Sequence, residues 1–159
     1  MAAAAVPLIL LLYQKQILHI RVIKTSIYGN TNNLAEINKK ISIPIEINTQ
    51  DKTINAAEAY LTFDPKAIRV ESVSKSDSFF TIWITDEPKF SNEKGEISFA
   101  GGLPNPGFKG KGVIGSVEIT PLKTGWQTLT FDARTRLLLN DGLGTESPLE
   151  KELIRIKVK

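Results

Sequence analysis

The sequence predicts an all-β protein built as a β-sandwich. Apolar and polar residues alternate in short runs along most of the chain, which is the pattern of strands that cover a core on one side. Glycine, proline, asparagine and aspartate cluster between these runs, as expected for turns. No run follows the helical period for longer than one turn. About nine short strands separated in this way indicate an antiparallel sandwich of either immunoglobulin-like or jelly-roll type.

The composition fits one globular domain and excludes several classes of function. A chain of 159 residues is long enough to bury a proper core. Hydrophobic residues make up 42% and charged residues 23%, so disorder is not expected. The absence of cysteine excludes a disulfide framework, a thiolate metal site and a cysteine nucleophile. The net charge of +3 is too small to predict binding of nucleic acid.

The N-terminal residues differ from the rest of the chain. Residues 1–16 contain the apolar run AAAAVPLILLL, which is shorter than the about 20 residues that a membrane-spanning helix needs. The run has the length of a signal-peptide core, but no Lys or Arg precedes it and no small-residue cleavage site follows it. We interpret residues 1–16 either as the remnant of an export or anchor segment, or as a frayed extension or a strand that lies on the domain. Residues 17–159 are assigned to a single domain.

The stretch Ile54–Val73 gives the clearest pattern, since a strand, a tight turn and a second strand follow one another. Its first strand points four apolar side chains to the core: Ala57, Ala59, Leu61 and Phe63. Asp64-Pro65 ends that strand, because proline cannot donate to the ladder and aspartate can accept from the next amides. Ile68 to Val73 then resumes the extended pattern. We expect this stretch to form a corner of the sandwich.

The same alternation predicts the other strands. Strand two, Lys40–Asn48, carries Pro44 on its outward side, so we expect an edge strand or a bulge. The long segment Gly101–Gly112 is rich in glycine and proline and is predicted to be an exposed loop with Phe108 near its tip. The remaining predicted strands are Ile17–Lys24, Phe79–Thr85, Gly95–Gly101, Val113–Pro121, Trp126–Ala133 with its continuation Thr135–Leu139, and Ile154–Val158.

Two aromatic side chains on predicted outward positions suggest a recognition surface. Trp83 points outward in strand five if Phe80, Ile82 and Ile84 point inward, and Tyr60 lies on the outward side of strand three. Aromatic residues anchor many binding interfaces, so we expect these two side chains to contribute buried apolar area to binding.

No cluster of residues points to catalysis or to a metal. His19 is the single histidine and lies in a predicted strand, so a typical zinc site is not expected. Turn and capping roles explain the carboxylates at strand ends better than catalysis does: Asp64, Asp86, Glu87, Asp132 and Asp141. We therefore expect no catalytic residue, no cofactor and no metal site.

Several segments in their order along the chain resemble a cohesin domain. The run INAAEAYLTFDPKAIRVESVSKSDSFFTIW resembles the strand, aromatic-Asp-Pro corner and aliphatic strand of that family. Three later segments are also similar to it: GEISFAGG, VIGSVEITPLKTGWQTLTF, and the NDGLGT turn before the last strand. The resemblance covers roughly residues 17–159. It implies a nine-stranded jelly-roll sandwich that acts as a non-catalytic, monomeric binding module of secreted or cell-surface proteins.

In the cohesin family a protein partner, the dockerin, folds around calcium and lies across one sheet made of strands three, five, six and eight. Carried over to this chain, the resemblance implies that the partner contacts Glu58, Tyr60, Thr62, Thr81, Trp83, Glu96, Ser98, Thr128 and Thr130. Glu58 stands where well-studied members present an aspartate, and Ala56 stands where they have an asparagine. The polar pair that anchors a dockerin helix is therefore incomplete, which bears on the usual dockerin specificity but not on the fold.

Two other functions agree with the same pattern. A carbohydrate-binding module of related sandwich fold would stack the same aromatics on sugar rings of a polysaccharide. A structural domain of a surface adhesin would have no ligand of its own. We expect the folded domain to contact neither nucleic acid nor a membrane, and the cohesin-like module remains the first hypothesis.

Overall fold

The computed structural model describes residues 24–159, which form strands joined by turns and contain no α-helix. The strands are β1 (Thr25–Gly29), β2 (Leu34–Ala35), β3 (Ile41–Asn48), β4 (Ile54–Phe63), β5 (Ile68–Ser74), β6 (Ile82–Trp83), β7 (Lys89–Ser91), β8 (Glu96–Gly102), β9 (Lys111–Pro121), β10 (Gly125–Phe131), β11 (Arg136–Leu139), β12 (Leu149–Lys151) and β13 (Ile154–Val158). The predicted segment 1–16 and all but the last residue of the predicted strand Ile17–Lys24 lie outside the described residues.

These strands form two sheets, as the prediction of a sandwich requires. One sheet has five strands in the order β12-β1-β3-β9-β5. The other has eight strands in the order β2-β13-β10-β4-β8-β6, with β11 beside β4 and β7 beside β8. Most pairs are antiparallel, but β1 with β12 and β13 with β2 are parallel. The prediction of about nine strands missed β1, which begins one residue after the predicted strand Ile17–Lys24 ends. It also missed the short β2, β7 and β12, which lie in stretches rich in turn residues.

The core lies between the two sheets and follows the predicted period of two. In β3 the buried residues are Ile43, Ile45 and Ile47, and in β4 the four predicted inward residues are all buried. Phe99 of β8 is fully buried. An added Cβ at Gly115 of β9 would lie 2.5 Å from the Phe99 ring, so that glycine makes room for the ring. Burial of these side chains provides the main driving force for folding.

The strand that contains Pro44 is not an edge strand, which corrects one of the two predicted alternatives. β3 lies between β1 and β9. The β3–β9 register shifts between Ile45 and Glu46, but the extra residue is Ile114 of β9, and Pro44 pairs regularly with Ser116, so the irregularity belongs to the neighbouring strand. The β1 ladder ends with Gly29 opposite Ile45, so Pro44 lies just beyond it. The Pro44 carbonyl accepts a hydrogen bond of 2.8 Å from the amide of Asn30.

The predicted corner after β4 carries the chain from one sheet to the other. The Asp64 carboxylate accepts a hydrogen bond of 2.8 Å from the amide of Lys66. The backbone carbonyl of Asp64 accepts hydrogen bonds from the amides of Ala67 and Ile68. This single turn leads into β5, which belongs to the five-stranded sheet.

Phe108 does not lie at the tip of an exposed loop. Its ring is half-buried and stacks on Phe79 at a centroid distance of 3.9 Å. Its amide donates to the Ile54 carbonyl at 2.8 Å, and its carbonyl accepts from the Ile54 amide at 2.9 Å. The glycine- and proline-rich segment is therefore fixed to the start of β4.

Candidate functional site

The candidate site is the solvent-facing side of the eight-stranded sheet, which we call the outer face. The four strands that the sequence analysis assigned to this face correspond to β4, β6, β8 and β10. They are neighbours in the order β10-β4-β8-β6, so the structure brings them together in one surface.

Seven of the nine predicted residues share the outer face. The register places Tyr60 opposite Ser98, and Thr62 between Glu96 and Thr130. Glu58 lies two positions from Tyr60 on the same side of β4, and Thr128 lies two positions from Thr130 on β10. Thr62, Thr128 and Thr130 are exposed. Side chains that lie opposite one another on one face can contact the same partner.

Ser98 lies on this face but is not free to contact a partner. Its hydroxyl donates to the Glu87 carboxylate, whose two oxygens both lie 2.9 Å away. Lys89 Nζ lies 3.2 Å from the same carboxylate, and the Glu87 side chain is only 5% exposed. The Glu87 carboxylate, predicted to have a turn or capping role, is instead buried and bound by Ser98 and Lys89.

The predicted orientation of strand five is wrong. The register pairs Ile82 with Gly102 and Trp83 with Gly101, which turns Trp83 to the core side and Ile82 to the outer face. The Trp83 ring is half-buried and makes a T-shaped contact with Phe80, at a centroid distance of 5.9 Å. Gly101 has no side chain, and a Cβ there would lie 3.2 Å from the indole, so the ring occupies that space. Alternation could not predict this arrangement.

Within predicted strand five, only Ile82–Trp83 pairs as a strand. The inward and outward positions counted from Phe80 therefore do not apply to Ile82, Trp83 and Ile84. Thr81 is exposed at the edge of the sheet, and its amide donates to the Gly102 carbonyl at 3.0 Å. Its side chain does not belong to the row formed by the other predicted residues.

An apolar groove occupies the β6 end of the outer face. Its volume is about 430 Å³, and its floor includes Ala56, Gly102 and Leu138. Ile82 and Ile84 form one wall and are 58% and 56% exposed. The opposite side is the loop that contains Gly142 and Gly144, whose central Leu143 is 85% exposed. Exposed aliphatic residues gathered in this way are typical of an interaction surface.

The centre of the outer face carries charges that already have partners within the domain. Arg136 of β11 lies opposite Glu58, and its Nη2 donates to Glu58 Oε1 at 2.8 Å. Its Nη1 donates to Glu146 at 3.3 Å. The hydrogen bond with Glu58 raises the pKa of the Arg136 guanidinium. Glu58 was expected to offer a free carboxylate to the partner, but Arg136 occupies it.

A second arginine covers the predicted aromatic residue Tyr60. The Arg134 guanidinium lies 4.5 Å from the centroid of the Tyr60 ring, a cation–π geometry. Asp132 holds it through hydrogen bonds to Nε at 2.8 Å and Nη2 at 2.5 Å, and Glu96 lies 3.8 Å from Nη2. Burial, followed by the nearby Glu58 and Glu87 carboxylates, raises the pKa of the Tyr60 phenol. Tyr60 therefore remains a neutral hydroxyl group at physiological pH.

The turn between β10 and β11 positions Arg134 and Arg136 on the outer face. The Asp132 amide donates to the Tyr60 carbonyl, and the Thr135 hydroxyl bridges the backbone of Tyr60, accepting from its amide and donating to its carbonyl at 3.0 Å each. Asp132 accepts from the Arg134 amide at 2.7 Å, as predicted for a turn carboxylate. Although burial alone would raise it, the pKa of Asp132 is lowered by the hydrogen bonds from Arg134.

Within residues 24–159, no three potential metal-ligating side chains come together in a cluster that could hold a metal ion. The same part of the chain has no helix long and apolar enough to cross a membrane.

The sequence profile of the cohesin domain matches residues 23–158. The chain belongs to the cohesin domain family. The fold agrees with this assignment, and the resemblance inferred from the Asp-Pro corner and the later segments is confirmed. No curated protein sequence matches this cohesin domain.

Solved cohesin structures share its fold at low sequence identity. The cohesin module of a family 33 glycoside hydrolase from Clostridium perfringens is 13% identical with a TM-score of 0.69, covering 86% of this chain and 97% of the other. The third ScaC cohesin of Acetivibrio cellulolyticus, solved in complex with the ScaB dockerin, is 19% identical with a TM-score of 0.67, covering 84% and 98%. A non-cellulosomal cohesin of the archaeon Archaeoglobus fulgidus is 17% identical with a TM-score of 0.64, covering 86% and 92%.

Sequence reasoning missed the residues that give this cohesin domain its distinctive surface. Ile82 and Ile84 were assigned to the core because they alternate with Trp83. Arg134 and Arg136 follow the Asp132 turn at alternate positions, a signal of two cations on one face, but only the pairing of β11 with β4 brings them to Glu58 and Tyr60.

Proposed function

We propose that this cohesin domain is a non-catalytic module that binds a dockerin-type protein on its outer face, within a secreted or cell-surface assembly. The observation that carries the proposal is the apolar groove, whose walls include two largely exposed isoleucines, Ile82 and Ile84. The A. cellulolyticus relative is a cohesin solved with a dockerin bound, which supports a partner of the same class.

The groove fits the apolar side of a partner helix. Gly102 and Ala56 keep its floor low, because neither carries a side chain longer than a methyl group. Ile82 and Ile84 can then pack against apolar side chains of the partner from one side, and the loop with Gly142 and Gly144 borders the other. The Glu58–Arg136 pair closes the groove toward the middle of the face and offers polar groups to the rim of the interface.

A carbohydrate-binding module is less well supported. Sugar stacking would use Tyr60 and Trp83 as a common aromatic platform. Arg134 covers the ring of Tyr60, and Trp83 turns toward Phe80 and the core. A structural domain without a ligand is less well supported too, since it would not explain a groove lined by exposed isoleucines.

The proposal is tested by a pull-down from secreted and envelope fractions of the source organism, with this domain as bait. The experiment is run with and without a calcium chelator, and a bait with Ile82→Asp and Ile84→Asp serves as the matched control. A protein retained only by the unmodified bait, and lost on chelation, would support a dockerin-type partner in the groove. Retention of polysaccharide without protein, or equal retention by both baits, would reject it.

A further inference from the structure

A second exposed surface lies at the opposite corner of the outer face, where β2, β13 and β10 are neighbours. Lys157 lies between Leu34 and Trp126 in one row across these strands, and Arg155 lies on the same side of β13. We call these four residues the cationic corner. Leu34 is 56% exposed and Trp126 is 53% exposed, so two large apolar side chains flank the cations in solvent.

The two cations of the corner differ from the arginines at the centre of the face. The Arg155 guanidinium lies 4.7 Å and Lys157 Nζ 5.2 Å from the centroid of the Trp126 ring. Neither takes part in an ion pair formed among residues 24–159. Arg134 and Arg136, by contrast, are each paired with two carboxylates. The corner therefore presents two cations that form no ion pair with any described residue.

The corner is separate from the groove. Thr130 lies opposite Thr62, Trp126 lies four positions beyond Thr130, and Ala56 lies six positions from Thr62 in the other direction. At about 3.3 Å per residue the two surfaces are roughly 33 Å apart along the strands. A short ligand of the corner therefore does not reach the groove.

We propose that the cationic corner binds an acidic segment of a protein chain that also carries an apolar side chain. Carboxylates of this segment pair with Arg155 and Lys157, and its apolar side chain packs on Trp126 and Leu34. An acidic polysaccharide fits less well, because sugar hydroxyls need several acceptors as well as donors. The corner offers two cationic donors, one indole and an aliphatic side chain, with no carboxylate or amide side chain among them.

Titration of the isotopically labelled domain by NMR tests the proposal. The probes are a short synthetic peptide that carries several glutamates around one leucine, a matched peptide with glutamine at every glutamate position, and polygalacturonate. We expect the glutamate peptide to shift the indole resonance of Trp126, with an effect that weakens as salt is added. The groove plays no part in this measurement, so the result is independent of the proposed function.

Two variants make the test specific. Arg155→Glu with Lys157→Glu should weaken binding of the glutamate peptide by about 2-fold to 30-fold, as expected for the loss of two exposed ion pairs. Lys24→Glu with Lys111→Glu makes the same change in net charge on exposed residues of the five-stranded side and should have little effect. Should the first variant unfold, Arg155→Gln with Lys157→Gln replaces it. The proposal is overturned if the glutamate peptide causes no shift, if the glutamine peptide binds equally, or if polygalacturonate alone binds.

Discussion

Replacing the two exposed isoleucines of the groove should weaken partner binding without affecting the fold. Full burial of an isoleucine side chain contributes about 1.5–3 kcal/mol. Ile82 and Ile84 are 58% and 56% exposed, so a partner that covers them gains the burial energy of that exposed fraction only. Because alanine keeps one methyl group, we expect each truncation to cost about 1 kcal/mol of binding free energy, and the double variant about 2 kcal/mol, or roughly 30-fold in Kd.

For Trp83 we expect the opposite effect, a loss of stability of the free domain. Its ring packs against Phe80 and the core, so Trp83→Ala should remove contacts of the free domain. For a half-buried indole we expect a loss of about 2 kcal/mol in the free energy of unfolding. In a domain of this size that corresponds to a decrease in Tm of roughly 4–8 °C.

Calorimetric titration with the partner recovered by the pull-down, together with thermal unfolding of each free variant, separates the two effects. Ile37→Ala is the matched control, since Ile37 is an exposed aliphatic residue outside the outer face. The reasoning fails if Ile82→Ala with Ile84→Ala leaves Kd unchanged. It also fails if that variant lowers Tm as much as Trp83→Ala does, because the isoleucines would then be part of the core.

Three further predictions concern the site and its support. An added Cβ at Gly102 would lie 2.4 Å from the Asn55 carbonyl oxygen, so Gly102→Ala should cost about 1–3 kcal/mol of stability, seen as a lower urea midpoint. The pKa of Asp132 is lower in the folded state than its unfolded value of about 3.9, so its contribution to stability is complete above that value and is lost on acidification. Asp132→Asn should therefore reduce the loss of stability between pH 7 and pH 3. An unchanged pH profile of the free energy of unfolding would contradict this. Glu58→Gln should lower stability by less than about 1 kcal/mol, since the Arg136 side chain is 43% exposed and also contacts Glu146; a larger decrease in Tm would show that the pair is a structural element.

The sequence predicted those parts of the fold in which one side of a strand is buried and the other is solvated. β4 is the best example, since Ala57 and Leu61 are buried and Thr62 is exposed, as alternation requires. The Asp64-Pro65 corner was predictable because its chemistry is local. The resemblance to cohesins supplied the order of strands in the outer face, which alternation cannot give.

The prediction of the site failed where one strand depends on its neighbour. Trp83 turns inward because Gly101 on the adjacent strand leaves space for its ring, and no pattern within strand five contains that information. Glu58 was expected to be free because Arg136, its partner, lies 78 positions away in sequence. Pairs of this kind depend on strand register, which a single sequence does not specify.

The departure from the family pattern at Ala56 and Glu58 has a structural explanation. Well-studied members present a polar pair at these positions, whereas here Ala56 is part of the apolar floor of the groove and Glu58 is engaged by Arg136. A partner lysine directed at Glu58 would have to compete with an arginine that is already 2.8 Å away, so little binding energy is available at the centre of the face. Under the proposed function we therefore expect affinity and specificity to come from the groove, where Ile82 and Ile84 are exposed. A dockerin that relies on a polar anchor at the centre should therefore bind this domain poorly, and one with an apolar helix face should bind it well.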